Sequence, residues 1–149
     1  MKKTLTLASF AISIFVHEIH AAPSVTWTAL DGVDVSINER SIERQQNGNV
    51  RVWQKEKLLP RVVTKLEADL RAIGNAVDFS DYEYSIKLWE YDCTRKRLEA
   101  VSGADYASNG EVINSFELEK PSMTAALPES VGDFTLSVVC GNKRAKRQK

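Results

Sequence analysis

Two carboxylates, Glu90 and Asp92, stand two residues apart in the stretch Tyr84 to Arg97, YSIKLWEYDCTRKR. On a strand, that spacing sends both side chains to one face, where a glycosidase-type acid and base could work together. Surface strands commonly carry the same spacing as a solvated acidic face, and that is the expectation for this pair. Other catalytic chemistry is poorly supplied. Both histidines, His17 and His20, fall in an N-terminal leader, so the rest of the chain lacks the usual general base and the commonest zinc ligand. It contains no GxGxxG, Walker loop or EF-hand spacing. No catalytic residue, metal ligand or cofactor is therefore expected, and binding becomes the chemistry to look for. Two features offer it. Arg95, Lys96 and Arg97 form a basic turn that could dock sulfated sugars or acidic stretches of another protein, or be an ordinary charged hairpin turn. Trp53, Tyr82, Tyr84, Trp89 and Tyr91 gather on two neighbouring strands, where such residues serve either interfaces or the core and rim of a small sheet.

The leader sets the compartment. Lys2 and Lys3 head an apolar run from Leu5 to Val16 that is too short to span a bilayer, and Ala21-Ala22 supply the small residues of a cleavage site. Residues 1–21 are expected to be a signal peptide, 22–142 a single domain, and 143–149 a basic disordered tail. No cysteine lies near the cut, so the exported chain is not expected to be a lipoprotein, and no later run is apolar enough to cross a membrane. Without its leader the chain is close to neutral, but unevenly so. Lys143, Arg144, Lys146, Arg147 and Lys149 crowd the tail and leave an acidic body, and a solvated end is expected there rather than a nucleic-acid contact. Two cysteines in an exported chain read as one disulfide, Cys93–Cys140, the alternative being a pair of free buried thiols.

The elements that would hold these residues follow from periodicity. Val25, Trp27 and Ala29 alternate with threonines up to the turn Asp31-Gly32, and Val33, Val35 and Ile37 alternate beyond it, which makes a hairpin. After a second turn at Asn47-Gly48, the run Val50 to Trp53 begins a third strand of an antiparallel meander. Val62, Val63, Leu66, Leu70 and Ile73 then share one stripe of a helix, with Pro60 in its first turn and Gly74-Asn75 at its exit. That stripe is expected to cover one face of the sheet. The central strand runs from Tyr82 to Cys93, with Tyr84, Ile86 and Leu88 alternating against Ser85, Lys87 and Trp89 as if one face were buried. Arg97 to Ala104 follows with a weak two-sided pattern, and Val112 to Leu118 gives another strand. The last element reads both ways. Leu127, Val131, Phe134 and Val138 share a helical stripe, while Phe134, Leu136, Val138 and Cys140 alternate as a strand would.

Taken in order, Trp27, Ser41-Ile42, the run Gly48 to Trp53, Glu90-Tyr91-Asp92-Cys93 with basic residues after it, and Pro128 to Gly132 leading into Val139-Cys140 form a pattern. From about Val25 to Cys140 the chain resembles the surface-adhesin protein E family of Gram-negative envelopes. The resemblance implies an α+β fold, a curved antiparallel sheet of about six strands with one or two helices packed on one face and a disulfide between Cys93 and Cys140. It favours helix for the last element. It also implies exposure at the envelope, binding of host matrix and serum glycoproteins such as vitronectin and laminin, and pairing as a homodimer. The contact it implies is the basic segment, Arg95, Lys96 and Arg97. The expected function is thus an exported adhesin-like, non-enzymatic module recognising an extracellular or envelope glycoprotein. The alternative is a periplasmic accessory or inhibitor acting on another envelope protein, and fractionation separates the two.

Overall fold

The longest strands are β5 (Tyr82–Asp92), rich in aromatic and β-branched residues, and β6 (Arg97–Ala107), joined by a short turn. The computed structural model describes residues 25–141, so the leader expected over 1–21 and the basic tail expected over 143–149 lie outside the described residues. Before β5 come β1 (Thr28–Ala29), β2 (Val35–Ile37), a single 3-10 turn at Glu39–Ser41, β3 (Glu43–Arg44), β4 (Val50–Glu56) and helix α1 (Pro60–Ala72). After β6 come β7 (Val112–Glu117), β8 (Thr124–Ala125) and helix α2 (Val131–Gly141). Among the described residues the eight strands form one open antiparallel sheet in the order β1-β2-β4-β5-β6-β7, with β3 flanking β4 and β8 flanking β6. Two helices and one disulfide complete an α+β fold.

The last element is a helix, and it is the one that covers the sheet. Leu136 and Val139 of α2 join Val35 and Ile37 of β2, Val50 and Val52 of β4, Tyr91 of β5 and Leu98 of β6 in a single core. Each fully buried aliphatic side chain there stabilises the fold by about 2 kcal/mol relative to exposure. Gln54 donates to the Tyr91 hydroxyl, which in turn donates to Thr135 Oγ1 at 3.3 Å, so the amide and the two hydroxyls beneath α2 satisfy one another. The disulfide Cys93–Cys140, with Cα atoms 5.6 Å apart, ties the end of α2 to the end of β5. Helix α1 forms where its periodicity places it, but it does not cover the sheet. None of its residues is buried, Val62 is 41% exposed and Ile73 beyond it 77%. Its half-buried residues are Val63, Leu66, Glu67 and Leu70, and Val63 and Glu67 line a pocket with Leu58 and Phe79 of the flanking segments.

Two bulges explain why the strand patterns mislead. Between Tyr82 and Tyr84, β5 gains one residue over β6, which turns Tyr82 to the face opposite Tyr84. There the Tyr82 hydroxyl lies 3.0 Å from Ser85 Oγ and accepts the Leu58 N–H. On β6 the pairing jumps from Trp89–Ala100 to Leu88–Ser102, so the inward positions change parity at Val101: Leu98 before it, then Val101, Asp105 and Ala107. Gly103 follows that bulge because a side chain there would collide with the neighbouring strand, its Cβ lying 2.8 Å from the Ile86 carbonyl oxygen.

Candidate functional site

The β5–β6 turn is held from three directions. From within, Asp92 accepts the Thr94 N–H at 3.0 Å and the Arg95 N–H at 2.9 Å, an Asx turn that fixes the backbone as it leaves the strand. The bond from the Arg95 N–H holds the Asp92 carboxyl below the usual carboxylate range, helped by the Thr94 N–H and the Arg95 charge and opposed by burial. From one side, the disulfide clamps Cys93. From the other, the segment around β8 packs on the turn: Ala126 donates its N–H to the Lys96 carbonyl at 2.9 Å, and Arg97 Nη2 donates to the Met123 carbonyl. Lys96 takes a left-handed conformation, φ 53°, which lets the chain reverse within these restraints.

Arg95, Lys96 and Arg97 are all exposed and close together at this tip, in a frame that is covalently fixed. Arg95 Nη1 is 3.4 Å from Asp92 Oδ2, and the exposure of its side chain leaves the guanidinium largely in solvent. The arrangement can offer three cations to an anionic or polar partner without first ordering a loop.

Glu90 and Asp92 do not form the solvated face expected of them. Glu90 is 4% and Asp92 8% exposed. Glu90 accepts from Asn49 Nδ2 at 2.6 Å, Asn47 Nδ2 at 3.3 Å and Arg51 Nε at 2.7 Å, so its carboxylate locks the Asn47-Gly48 turn onto β5. Burial pushes this carboxyl up, but the bonds from Asn49, Arg51 and Asn47 outweigh it and leave it below the ordinary range. Both carboxylates are thus engaged in building turns. A signal for Asp92 was present, since Asp followed by a short polar turn is an Asx-turn pattern. The three partners of Glu90 come from some forty residues upstream, and only the folded register brings them together.

The five aromatic residues divide between the two faces. Trp89 and Tyr91 pack toward α2, their rings 6.4 Å apart, and Tyr82 joins that face through the bulge. Trp53 and Tyr84 lie on the opposite face, which neither helix covers. There Trp53, Ile86, Ala104 and Tyr106 line a shallow groove of about 510 Å³ with Ser115 and Glu117. Beside it Tyr84 stacks on Tyr106 at 5.0 Å, and Lys55 Nζ lies 3.9 Å from the Tyr84 ring centre. The apolar side of β5 expected to be buried, Tyr84 with Ile86, therefore faces this open surface. On the same strand Ser85 is fully buried, giving its hydroxyl proton to Asp105 at 2.6 Å, and Lys87 pairs with Glu56 at 2.6 Å.

One face of the sheet is thus covered by a disulfide-tied helix and the other is left open. The family model for surface-adhesin protein E matches residues 26–141, and the chain belongs to that family. Among solved structures it is similar to Haemophilus influenzae protein E, with a TM-score of 0.50 and 14% identity over 87% of this chain and 96% of that chain. A selenomethionine form of the same Haemophilus protein gives a TM-score of 0.49 and 10% identity over 82% and 94%. At these identities the likeness is one of fold. No curated protein sequence matches significantly. Among the described residues no helix is long and apolar enough to cross a membrane.

Proposed function

We propose that this chain is an exported, non-enzymatic, adhesin-like module that recognises an extracellular or envelope glycoprotein through Arg95, Lys96 and Arg97. The observation that carries the reading is the rigid display of these three exposed cations on a turn fixed by Cys93–Cys140, Asp92 and the β8 segment. Membership of a surface-adhesin family supports a protein ligand. Cations on a preformed turn attract an acidic or sulfated patch at long range, and the attraction weakens once salt shortens the screening length to about 8 Å at physiological strength. The test is binding to immobilised vitronectin and laminin by wild type and by the combined variant Arg95→Glu, Lys96→Glu, Arg97→Glu. Affinity should fall at least about tenfold in the variant, equivalent to 1.4 kcal/mol, and wild-type affinity should decline with added salt. Equal binding by the two proteins would remove the turn as the site.

A further inference from the structure

Strand β7 ends the sheet, and among the described residues no strand pairs with its outer side. The Leu118 N–H donates to the Val101 carbonyl at 2.8 Å, and this bond fixes the phase of the ladder. With the pairs Gly103–Phe116 and Ala104–Ser115 in register, residues 114, 116 and 118 turn their backbone groups toward β6. Ser115 and Glu117 therefore direct N–H and C=O away from the sheet, and their side chains line the open groove with Trp53, Ile86, Ala104 and Tyr106. A row of unpaired backbone groups next to an apolar groove is the form of a site for strand addition.

Charge decides what is added. Glu111, Glu117 and Glu119 are exposed along this edge, and no Lys or Arg stands between Arg97 and Lys120. A second copy pairing antiparallel through β7 would interleave these carboxylates with their own kind, which opposes self-association. A strand bearing Lys or Arg meets complementary charge instead. We infer that β7 accepts, as an added strand, an extended segment of another protein in which basic and apolar residues alternate, the basic side chains lying on the groove face beside Glu117 and the apolar ones on the other face, against Phe116 and the exposed Leu118. This goes beyond the hairpin-tip reading and concerns a different surface, so either can fail without the other.

The probe is the acetylated, amidated hexapeptide KVKVKV, with EVEVEV as its charge-reversed control, titrated into the 15N-labelled protein. Amide shifts should concentrate in Val112–Glu117 and the groove, and hydrogen exchange at Ser115 and Glu117 should slow. EVEVEV should bind at least about tenfold more weakly. Ser115→Pro deletes an outward N–H while leaving the bonds to β6 intact, and should abolish binding; Ser115→Ala should keep it, because the contact is made by backbone. Should Ser115→Pro fail to fold, Glu117→Lys supplies the second arm by shifting preference from KVKVKV toward EVEVEV. The combined Arg95→Glu, Lys96→Glu, Arg97→Glu variant should bind KVKVKV at least as well as wild type. The inference is overturned if the shifts map elsewhere, if EVEVEV binds equally, or if folded Ser115→Pro binds like wild type. It is also overturned if sedimentation shows a dimer that Ser115→Pro dissolves, since a second copy would then own the edge.

Discussion

Glu90 stays charged while nearly sealed from solvent because three donors converge on it, and this makes it a pH-sensitive stabiliser. A carboxyl held below its unfolded value contributes stability that is present above about pH 4.3 and is lost as pH falls through the folded value. Glu90→Gln should cost about 2 kcal/mol at pH 7, and the gap should close as pH drops toward 3, read from urea midpoints at both pH values. A gap independent of pH would mean the carboxylate charge contributes nothing. Tyr91 works in the opposite range. Burial pushes its phenol up to about 12, against the effects of Thr135 and Gln54. A raised folded value contributes stability that is intact below pH 10 and is lost as pH climbs from there through about 12. Tyr91→Phe, which leaves the buried Gln54 amide without its acceptor, should cost about 1–2 kcal/mol at neutral pH and should flatten the alkaline decline between pH 10 and 12. At this scale the sequence showed the residues and their spacing. Whether a carboxylate is solvated or clasped depends on Asn47 and Asn49 of the turn before β4 and Arg51 of β4 arriving beside it, which spacing along β5 cannot encode.

Between the two helices, clarity of pattern and weight in the fold run in opposite directions. Helix α1 shows the clean stripe, proline start and glycine exit that make a helix legible, yet it leaves Val62 41% exposed. Helix α2 reads as either helix or strand because its residues are apolar on most sides, and it is the one that buries Leu136 and Val139. Amphipathicity states that a helix has a side to hide; it does not state behind what. The expected contrast is large: Leu136→Ala should cost about 3 kcal/mol by leaving a cavity under the helix, and Val62→Ala less than about 0.5 kcal/mol. Comparable losses at the two positions would mean that α1 carries packing the structure does not give it. The strands teach the same physics through register. The bulges turn Tyr82 away from the face of Tyr84 and shift the inward positions of β6 at Val101, whereas Tyr84 and Ile86 face the open surface because the core side of that part of β5 is taken by Ser85 and Lys87, polar side chains met by Asp105 and Glu56. The turns Asp31-Gly32 and Asn47-Gly48 were legible because glycine at positive φ leaves a local mark, and Gly32 and Gly48 adopt φ of 83° and 86°.

For the whole molecule, the covalent link between Cys93 and Cys140 joins packing to presentation. It was readable because two cysteines allow one intramolecular pair. What the count could not show is where the link falls: at the point where the core helix, the end of the central strand and the basic turn meet. Closing that loop stabilises the fold by about 4 kcal/mol on the chain-entropy account. Removing it should act at two places. Cys93→Ser with Cys140→Ser should lower the urea midpoint by an amount equivalent to most of that figure, and α2 should exchange its amide protons faster than β4 and β5, because the helix loses its tether first. The turn should lose order as well, so binding through Arg95, Lys96 and Arg97 should weaken under conditions where the double variant is still folded, as the cost of ordering the turn shifts into the binding step. If the midpoint falls while the affinity of the folded variant holds, Asp92 and the β8 contacts suffice to shape the turn, and the disulfide serves stability alone.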